Sequence, residues 1–170
     1  MQRRTVSQLV LTGLLLPALG ACGFRLRSSQ NFAFQTIAVT PETGGLVATE
    51  LQRYFGDSVR PVSPAKGEAP PQVIVDILQE LREKTVVGTN ATGQVREFQL
   101  RIRVRFRMRT PQGRELIADT EITQQRDISF NESAVLAKEA EEALLYRDMQ
   151  SDIVQQLLRR LAAVKSIDAP

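Results

Sequence analysis

Five arginines recur at every second position in one short stretch of the chain, between residues 95 and 110. They are Arg101, Arg103, Arg105, Arg107 and Arg109. The alternate positions of the same stretch are apolar: Phe98, Leu100, Ile102, Val104, Phe106 and Met108. Successive side chains of a β-strand point to opposite sides, whereas a helix would scatter the arginines around its circumference. The pattern predicts a strand with one apolar face and one face of guanidinium groups, which bind phosphates and carboxylates.

A hairpin loop is predicted immediately after this strand, at residues 111–113. Their sequence is PQG, in which proline suits the first turn position and glycine the left-handed last position. A three-residue loop also keeps the apolar residues of the two strands on the same side. In this register three arginines face acids, with Arg109 opposite Glu115, Arg105 opposite Asp119 and Arg103 opposite Glu121. Arg101 and Arg107 face no acid across the hairpin.

The arginine face has two interpretations, and the sequence leaves both open. In the first it is a solvated strand face, and cross-strand acids neutralise its arginines at about 0.2–1 kcal/mol per pair. In the second it is a docking surface for a partner or an anionic ligand. Arg103, Arg105 and Arg109 are then candidates for docking or for charge pairing, and Arg101 and Arg107 are candidates for binding the anion.

The chain has few of the residue types that catalysis and metal binding commonly use. The chain has no histidine and a single cysteine, Cys22, which excludes Ser-His and Cys-His nucleophile pairs and all histidine metal sites. Glu139, Glu141 and Glu142 form the clearest acidic group, and their spacing is typical of a solvated helix surface. We expect no enzyme activity, no cofactor and no metal.

The N-terminus has the features of a lipoprotein signal peptide. Arg3 and Arg4 precede an apolar run over residues 9–19, which is shorter than the about 20 residues that a transmembrane helix needs. The run leads into the sequence LGAC, which resembles a lipobox ending at Cys22. We therefore predict a signal peptide over residues 1–21 and lipidation of Cys22. The alternative is an ordinary secretory signal with a chance cysteine near its end.

The predicted lipoprotein has a tether at residues 22–31 and a C-terminal tail at residues 166–170. Gly23, rather than aspartate, follows the cysteine, which favours an outer-membrane, lipid-anchored protein on the periplasmic side. Without Arg3 and Arg4 the chain has 22 − 2 = 20 basic and 19 acidic residues. This near-neutral balance gives no reason to expect a nucleic-acid partner.

Between tether and tail, residues 32–165 are predicted to form a single α+β domain. The hydrophobic patterning and the turn signals predict strands at 32–40, 72–87, 95–110 and 116–124, and the last strand has 130 as an alternative end. They predict helices at 46–55 and 132–164. The second helix is long enough that we expect a kink or gap near 139–142. The order β-α-β-β-β-α predicts a two-layer sandwich, in which a four-stranded, mostly antiparallel sheet carries both helices on one face.

The chain resembles the LPS-assembly lipoprotein LptE family from its predicted lipidation site to the end of its last helix. The segments that carry the resemblance are CGFRLR from Cys22, EFQL from Glu97, SFN from Ser129, LAK from Leu136, and QQLLRRL from Gln155. They occur in the family's order, and the order of the predicted elements agrees as well.

The resemblance implies a lipid-anchored periplasmic domain that plugs an LptD-type outer-membrane β-barrel and helps to insert lipopolysaccharide into the outer leaflet. It also implies lipopolysaccharide binding through basic residues. Lys138 matches the lysine of the family's LAK segment, and Arg96 is the basic residue nearest to the family's basic loop before the third strand. Two alternatives remain open: a stand-alone lipoprotein that binds an anionic lipid or glycan, and a chaperone for barrel assembly that does not bind lipopolysaccharide.

Overall fold

A computed structural model of the protein describes residues 30–167. The predicted signal peptide at 1–21, Cys22, the CGFRLR segment and nearly all of the tether lie outside the described residues. Within them the elements follow the predicted order β-α-β-β-β-α. The strands are β1 (Ile37–Thr40), β2 (Val73–Thr89), β3 (Val95–Arg109) and β4 (Glu115–Ser129), and the helices are α1 (Leu46–Phe55) and α2 (Val135–Ala162). None of the described helices is long and apolar enough to cross a membrane.

The four strands form one sheet in the order β1-β2-β3-β4. β1 and β2 are parallel, because the chain crosses over through α1 between them, and the other two pairs are antiparallel. The expectation of a mostly antiparallel, four-stranded sheet is therefore confirmed. The arginine strand β3 lies inside the sheet, so it has neighbours on both sides.

The hydrophobic core lies between the sheet and the two helices. The apolar face of β3 supplies five fully buried side chains, namely Leu100, Ile102, Val104, Phe106 and Met108. Buried residues of α1 and α2 join them in one cluster, including Leu51, Met149 and Leu157. Both helices thus pack on the same face of the sheet, as the alternation predicted, and the arginine face of β3 is left open.

One predicted boundary and the predicted interruption of the last helix are wrong for identifiable reasons. β1 begins only at Ile37, because the preceding Phe32 and Phe34 pack against the ring of Phe55, with the Phe32 and Phe55 centroids 5.0 Å apart. The expected kink near 139–142 is absent, since alanine, leucine and glutamate, which favour helix, fill this part of α2. The change of helical geometry comes earlier, in a 3₁₀ turn at Glu132–Ala134 that the side chain of Asn131 caps.

The hairpin register is only partly as predicted. Arg109 lies opposite Glu115, as expected, but extra residues on β4 then shift the pairing by two, so that Arg105 faces Glu121 and Arg103 faces Thr123. Extra residues on one strand of an antiparallel pair are β-bulges, which sequence patterning does not reveal. A shift of two keeps every side chain on its own face, which is why the apolar face is still buried.

The start of α1 is capped by a side chain from the sheet. Gly45 precedes the helix and has no side chain, and Glu80 of β2 instead accepts hydrogen bonds at Oε2 from the backbone N–H groups of Leu46 (3.1 Å) and Val47 (3.2 Å). A carboxylate at this position satisfies free N–H groups and opposes the positive end of the helix dipole. Glu80 thereby ties α1 to β2.

Glu80→Ala is expected to lower the free energy of unfolding by about 1 kcal/mol, the usual effect of removing an N-terminal cap. Urea denaturation followed by circular dichroism measures the change. The matched control is Glu68→Ala, because Glu68 is exposed in the loop before β2. An equal loss of stability in the two variants would show that Glu80 does not cap the helix.

Candidate functional site

The open face of the sheet presents the five arginines of β3, and two of them share one acid on β2. Asp76 lies opposite Arg107 in the register of β2 and β3. Its Oδ2 accepts hydrogen bonds from Nε of Arg107 and Nε of Arg109, both at 2.8 Å, and its Oδ1 accepts one from the Thr40 hydroxyl, also at 2.8 Å. Asp76 is therefore the acid that organises this end of the arginine face.

Asp76 is one of few buried polar residues in the described part of the chain, with 6% of its surface exposed. Burial alone would raise the pKa of its carboxyl group. The hydrogen bonds from Arg109, Arg107 and Thr40 outweigh burial, so the pKa lies below its ordinary value. The carboxylate is thus charged at neutral pH and holds both guanidinium groups in place.

The remaining three arginines are held by two further acids, one on each side of β3. Glu83 of β2 forms an ion pair with Arg103 at 2.7 Å and contacts Arg101 at 4.0 Å. Asp119 of β4 pairs with Arg105, whose Nε lies 3.3 Å from Oδ1. In both strong pairs the acid raises the pKa of the guanidinium group, chiefly through the hydrogen bond.

Three carboxylates, from Asp76, Glu83 and Asp119, therefore bind all five arginines. Across the hairpin Arg101 and Arg107 face no acid, as expected. They still have acids, because β3 lies inside the sheet and β2 supplies Glu83 and Asp76 from its other side. Asp76 was nevertheless recognisable in the sequence as a lone acid in the apolar run VIVDI. The arginine face therefore combines five arginines with three acids, and each of the five guanidinium groups lies beside a carboxylate.

The basic candidates Lys138 and Arg96 lie at the opposite end of the sheet from Arg107. The backbone carbonyl of Arg96 accepts a hydrogen bond from the N–H of Phe130, at 2.7 Å, just before α2 begins. Arg96 precedes Arg107 by 11 positions on β3, which corresponds to about 36 Å of strand at about 3.3 Å per residue. The four residues predicted to bind lipopolysaccharide thus do not form one site, and only Lys138 and Arg96 lie at the same end.

Lys138 lies at the edge of a small pocket between the sheet and the start of α2. The pocket has a volume of about 60 Å³ and an apolar lining of Phe98, Ile128, Phe130 and Val135. Nζ of Lys138 donates to Oγ of Ser129 and forms an ion pair with Glu141, both at 2.9 Å. The lysine is therefore held beside the apolar pocket, with its charge matched by one exposed acid.

Lys84 of β2 is a second cation at this pocket that the sequence analysis did not select. Its ammonium lies 4.4 Å from the centre of the Phe98 ring and forms an ion pair of 2.5 Å with Glu142 of α2. Alternation along β2 does place Lys84 on the helix side of the sheet, but only the packing of α2 brings it to the pocket. We call this set, Lys84, Phe98, Phe130, Val135 and Lys138, the lysine pocket.

The sequence profile of the LptE family, described as lipopolysaccharide-assembly, matches residues 30–161. The chain belongs to the LptE family. This confirms the resemblance drawn from the sequence segments. LptE proteins are non-enzymatic lipoproteins involved in the assembly of lipopolysaccharide. No curated protein sequence matches the chain significantly.

Solved structures agree with the LptE assignment. The chain is similar to the solution structure of an uncharacterized lipoprotein B from Nitrosomonas europaea, with 34% identity and a TM-score of 0.67, over 83% of this chain and 91% of that one. Two further structures share the fold. The rare lipoprotein B of Shewanella oneidensis has 22% identity and a TM-score of 0.56, over 75% of this chain and 92% of that one. A minor lipoprotein of Acinetobacter baumannii has 18% identity and a TM-score of 0.60, over 78% of this chain and 94% of that one.

Proposed function

We propose that the protein is an outer-membrane lipoprotein, anchored through Cys22, that plugs an LptD-type β-barrel and binds lipopolysaccharide during its insertion into the outer leaflet. Membership of the LptE family supports the role in lipopolysaccharide assembly. The lipobox-like sequence before Cys22 supports the anchor, and the lysine pocket supports contact with an amphiphile. The lysine pocket is the observation that carries the proposal.

Lipopolysaccharide combines phosphates with acyl chains, and the lysine pocket offers a group for each. The rings of Phe98 and Phe130 form an apolar lining, and the ammonium of Lys138 lies next to it. The pairing of Lys138 with Glu141 is no obstacle, because such surface ion pairs contribute about 1 kcal/mol or less. A phosphate can therefore replace Glu141 as the partner of the lysine at little cost.

The open sheet face is the surface that we assign to the barrel. Its arginines and acids are held by ion pairs yet remain partly exposed, with exposed side-chain fractions of 37% for Arg103 and 46% for Arg105. A fixed surface with positive and negative groups suits a polar partner such as a barrel lumen. Complementary charges orient the two surfaces and disfavour incorrect partners. Arg103, Arg105 and Arg109 are accordingly docking residues as well as charge-paired ones.

Lys138→Glu in the full-length lipoprotein is expected to weaken lipopolysaccharide binding about tenfold or more, the effect of losing one charge-assisted hydrogen bond and adding a repulsion. Binding is measured by displacement of fluorescent lipopolysaccharide from the purified protein. Co-purification with a large β-barrel from gently solubilised envelopes is expected to be unchanged, because the open sheet face is intact.

The matched control is Lys165→Glu, which makes the same change of charge at an exposed lysine beyond the end of α2. Lys138→Arg is expected to retain most of the binding. Lipopolysaccharide binding without any co-purifying barrel would contradict the plug and favour a stand-alone binding lipoprotein. A co-purifying barrel together with unaltered binding by Lys138→Glu would contradict the lysine pocket as the site.

A further inference from the structure

Two arginines without an acid partner lie on the helix side of the molecule, not on the arginine face of β3. Within residues 30–167, the side chains of Arg53 in α1 and Arg147 in α2 form no ion pair or hydrogen bond. Both line a groove of about 580 Å³ between the two helices, together with Arg82 of β2. Three arginines from three separate elements thus meet at one groove, which we call the arginine groove.

Arg82 of the arginine groove is held in place by a chain of contacts. The Tyr146 hydroxyl donates to the backbone carbonyl of Glu83 at 2.9 Å, which fixes the ring, and the Arg82 guanidinium lies 5.3 Å from the centre of that ring. Arg82 also donates to Oε1 of Gln150 at 2.8 Å. A guanidinium held in this way keeps most of its five N–H donors for a ligand and loses little freedom on binding.

The acid that lines the arginine groove does not neutralise it. Glu50 accepts a hydrogen bond from Nε2 of Gln150 at 2.8 Å and forms no ion pair with Arg53, Arg82 or Arg147. The groove therefore has three positive charges and one negative charge, a net charge of +2. On the other side of the sheet each of the five arginines from Arg101 to Arg109 contacts a carboxylate, whereas the arginines of the groove contact none among the described residues.

We propose that the arginine groove binds a phosphomonoester group. A guanidinium group can bind a phosphate through two parallel N–H···O hydrogen bonds. A phosphomonoester has a charge of about −1.5 to −2 at neutral pH, which is opposite in sign and close in size to the net charge of the groove. A phosphodiester or a carboxylate has only one negative charge and matches it less well. The groove volume lies within the range of about 300–1,000 Å³ that is typical of ligand sites, so it also has room for part of the group attached to the phosphate.

The phosphomonoester can belong to a lipid headgroup or to a soluble sugar phosphate, and two probes distinguish these sources. One is glucose 1-phosphate, titrated into the full-length protein in a calorimeter. The other is co-sedimentation with phosphatidylcholine vesicles that contain phosphatidic acid, compared with vesicles of equal surface charge made with phosphatidylglycerol. Binding of glucose 1-phosphate supports the proposal and indicates a soluble sugar phosphate. Stronger binding to phosphatidic acid vesicles than to phosphatidylglycerol vesicles supports it and indicates a lipid headgroup.

The double variant Arg53→Gln, Arg147→Gln is expected to weaken binding of the probe at least about tenfold, because two charge-assisted contacts are removed. Both positions are exposed, so the fold should be unaffected, and circular dichroism checks this. The matched control is Arg159→Gln, Arg160→Gln, which removes the same charge from exposed positions at the end of α2. It is expected to bind as the unaltered protein does.

Three results would overturn the arginine groove as a phosphomonoester site. They are no binding of either probe, vesicle binding without preference for phosphatidic acid together with no binding of glucose 1-phosphate, and an equal loss of probe binding in the control variant. The proposal is independent of the lysine pocket. Loss of probe binding in Arg53→Gln, Arg147→Gln tests the groove, and loss of lipopolysaccharide binding in Lys138→Glu tests the lysine pocket, so failure of one proposal is distinguishable from failure of the other.

Discussion

Phe106→Ala is expected to lower the free energy of unfolding by about 3–5 kcal/mol, the range found for removing a buried aromatic ring. Phe106 is fully buried on β3, the strand inside the sheet, and its ring belongs to the core cluster that includes both helices. Sheet and helices leave little room to collapse around the missing ring, so a cavity adds to the lost burial of apolar surface. Urea denaturation followed by circular dichroism measures the effect.

Two further variants make the result interpretable. Phe106→Leu keeps much of the side-chain volume and is expected to lower the free energy of unfolding by only about 1–1.5 kcal/mol. It can therefore be measured even if the alanine variant does not fold. Leu136→Ala removes a side chain of α2 that is 82% exposed and should change stability by less than about 0.5 kcal/mol. A small effect of Phe106→Ala, similar to that of Leu136→Ala, would contradict the placement of the apolar face of β3 in the core.

Asp76→Ala is expected to lower the free energy of unfolding by about 2–3 kcal/mol, because it removes the shared partner of Arg107 and Arg109 and one hydrogen bond of Thr40. The loss stays below that of a fully buried ion pair, since the Arg107 side chain is 43% exposed and can regain water. The comparison variant is Asp119→Ala, which removes the exposed partner of Arg105. It should lower the free energy of unfolding by about 1 kcal/mol or less.

The lowered pKa of Asp76 makes this contribution depend on pH in a defined direction. A group whose folded-state pKa lies below its unfolded value stabilises the protein above the unfolded pKa, and the contribution is lost as the pH falls through the folded one. The stability difference between the unaltered protein and Asp76→Asn should therefore be full at neutral pH and shrink below about pH 4. A difference that is constant from neutral pH to acid would show that the charge of Asp76 is not what stabilises the fold.

Asp76 also belongs to the open sheet face that we assign to the barrel. Asp76 fixes two of the arginines on the open sheet face, so its loss should disturb the surface that we assign to the barrel as well as the stability of the domain. The arginine groove lies on the other side of the sheet, and Asp76→Asn should leave its binding of phosphomonoesters unchanged. The two surfaces can therefore be tested separately in one protein.

Local patterns determined a large part of the fold. The alternation of apolar residues and arginines predicted β3 to within one residue of its end, and helical spacing predicted α1 at its observed bounds. Both are short-range properties, because the direction of each side chain follows from the geometry of the strand or helix that holds it. The lipidation of Cys22 was also predicted from the sequence alone and lies outside the described residues.

Long-range contacts determined the sites. The sequence did not show that β2 would supply Asp76 and Glu83 to the arginine strand, because that depends on the register of β2 with β3, which shifts between Ile77 and Gln79. Nor did it show that Arg53 and Arg147 would meet at one groove, since they are distant in the chain and only the packing of α1 against α2 brings them together. Which side chains point outward is decided locally, but which charges meet is decided by how the elements pack. The sequence by itself therefore determined the arginine face of β3, and the tertiary structure decided which acids contact its arginines and that Arg53 and Arg147 meet at a groove on the opposite side.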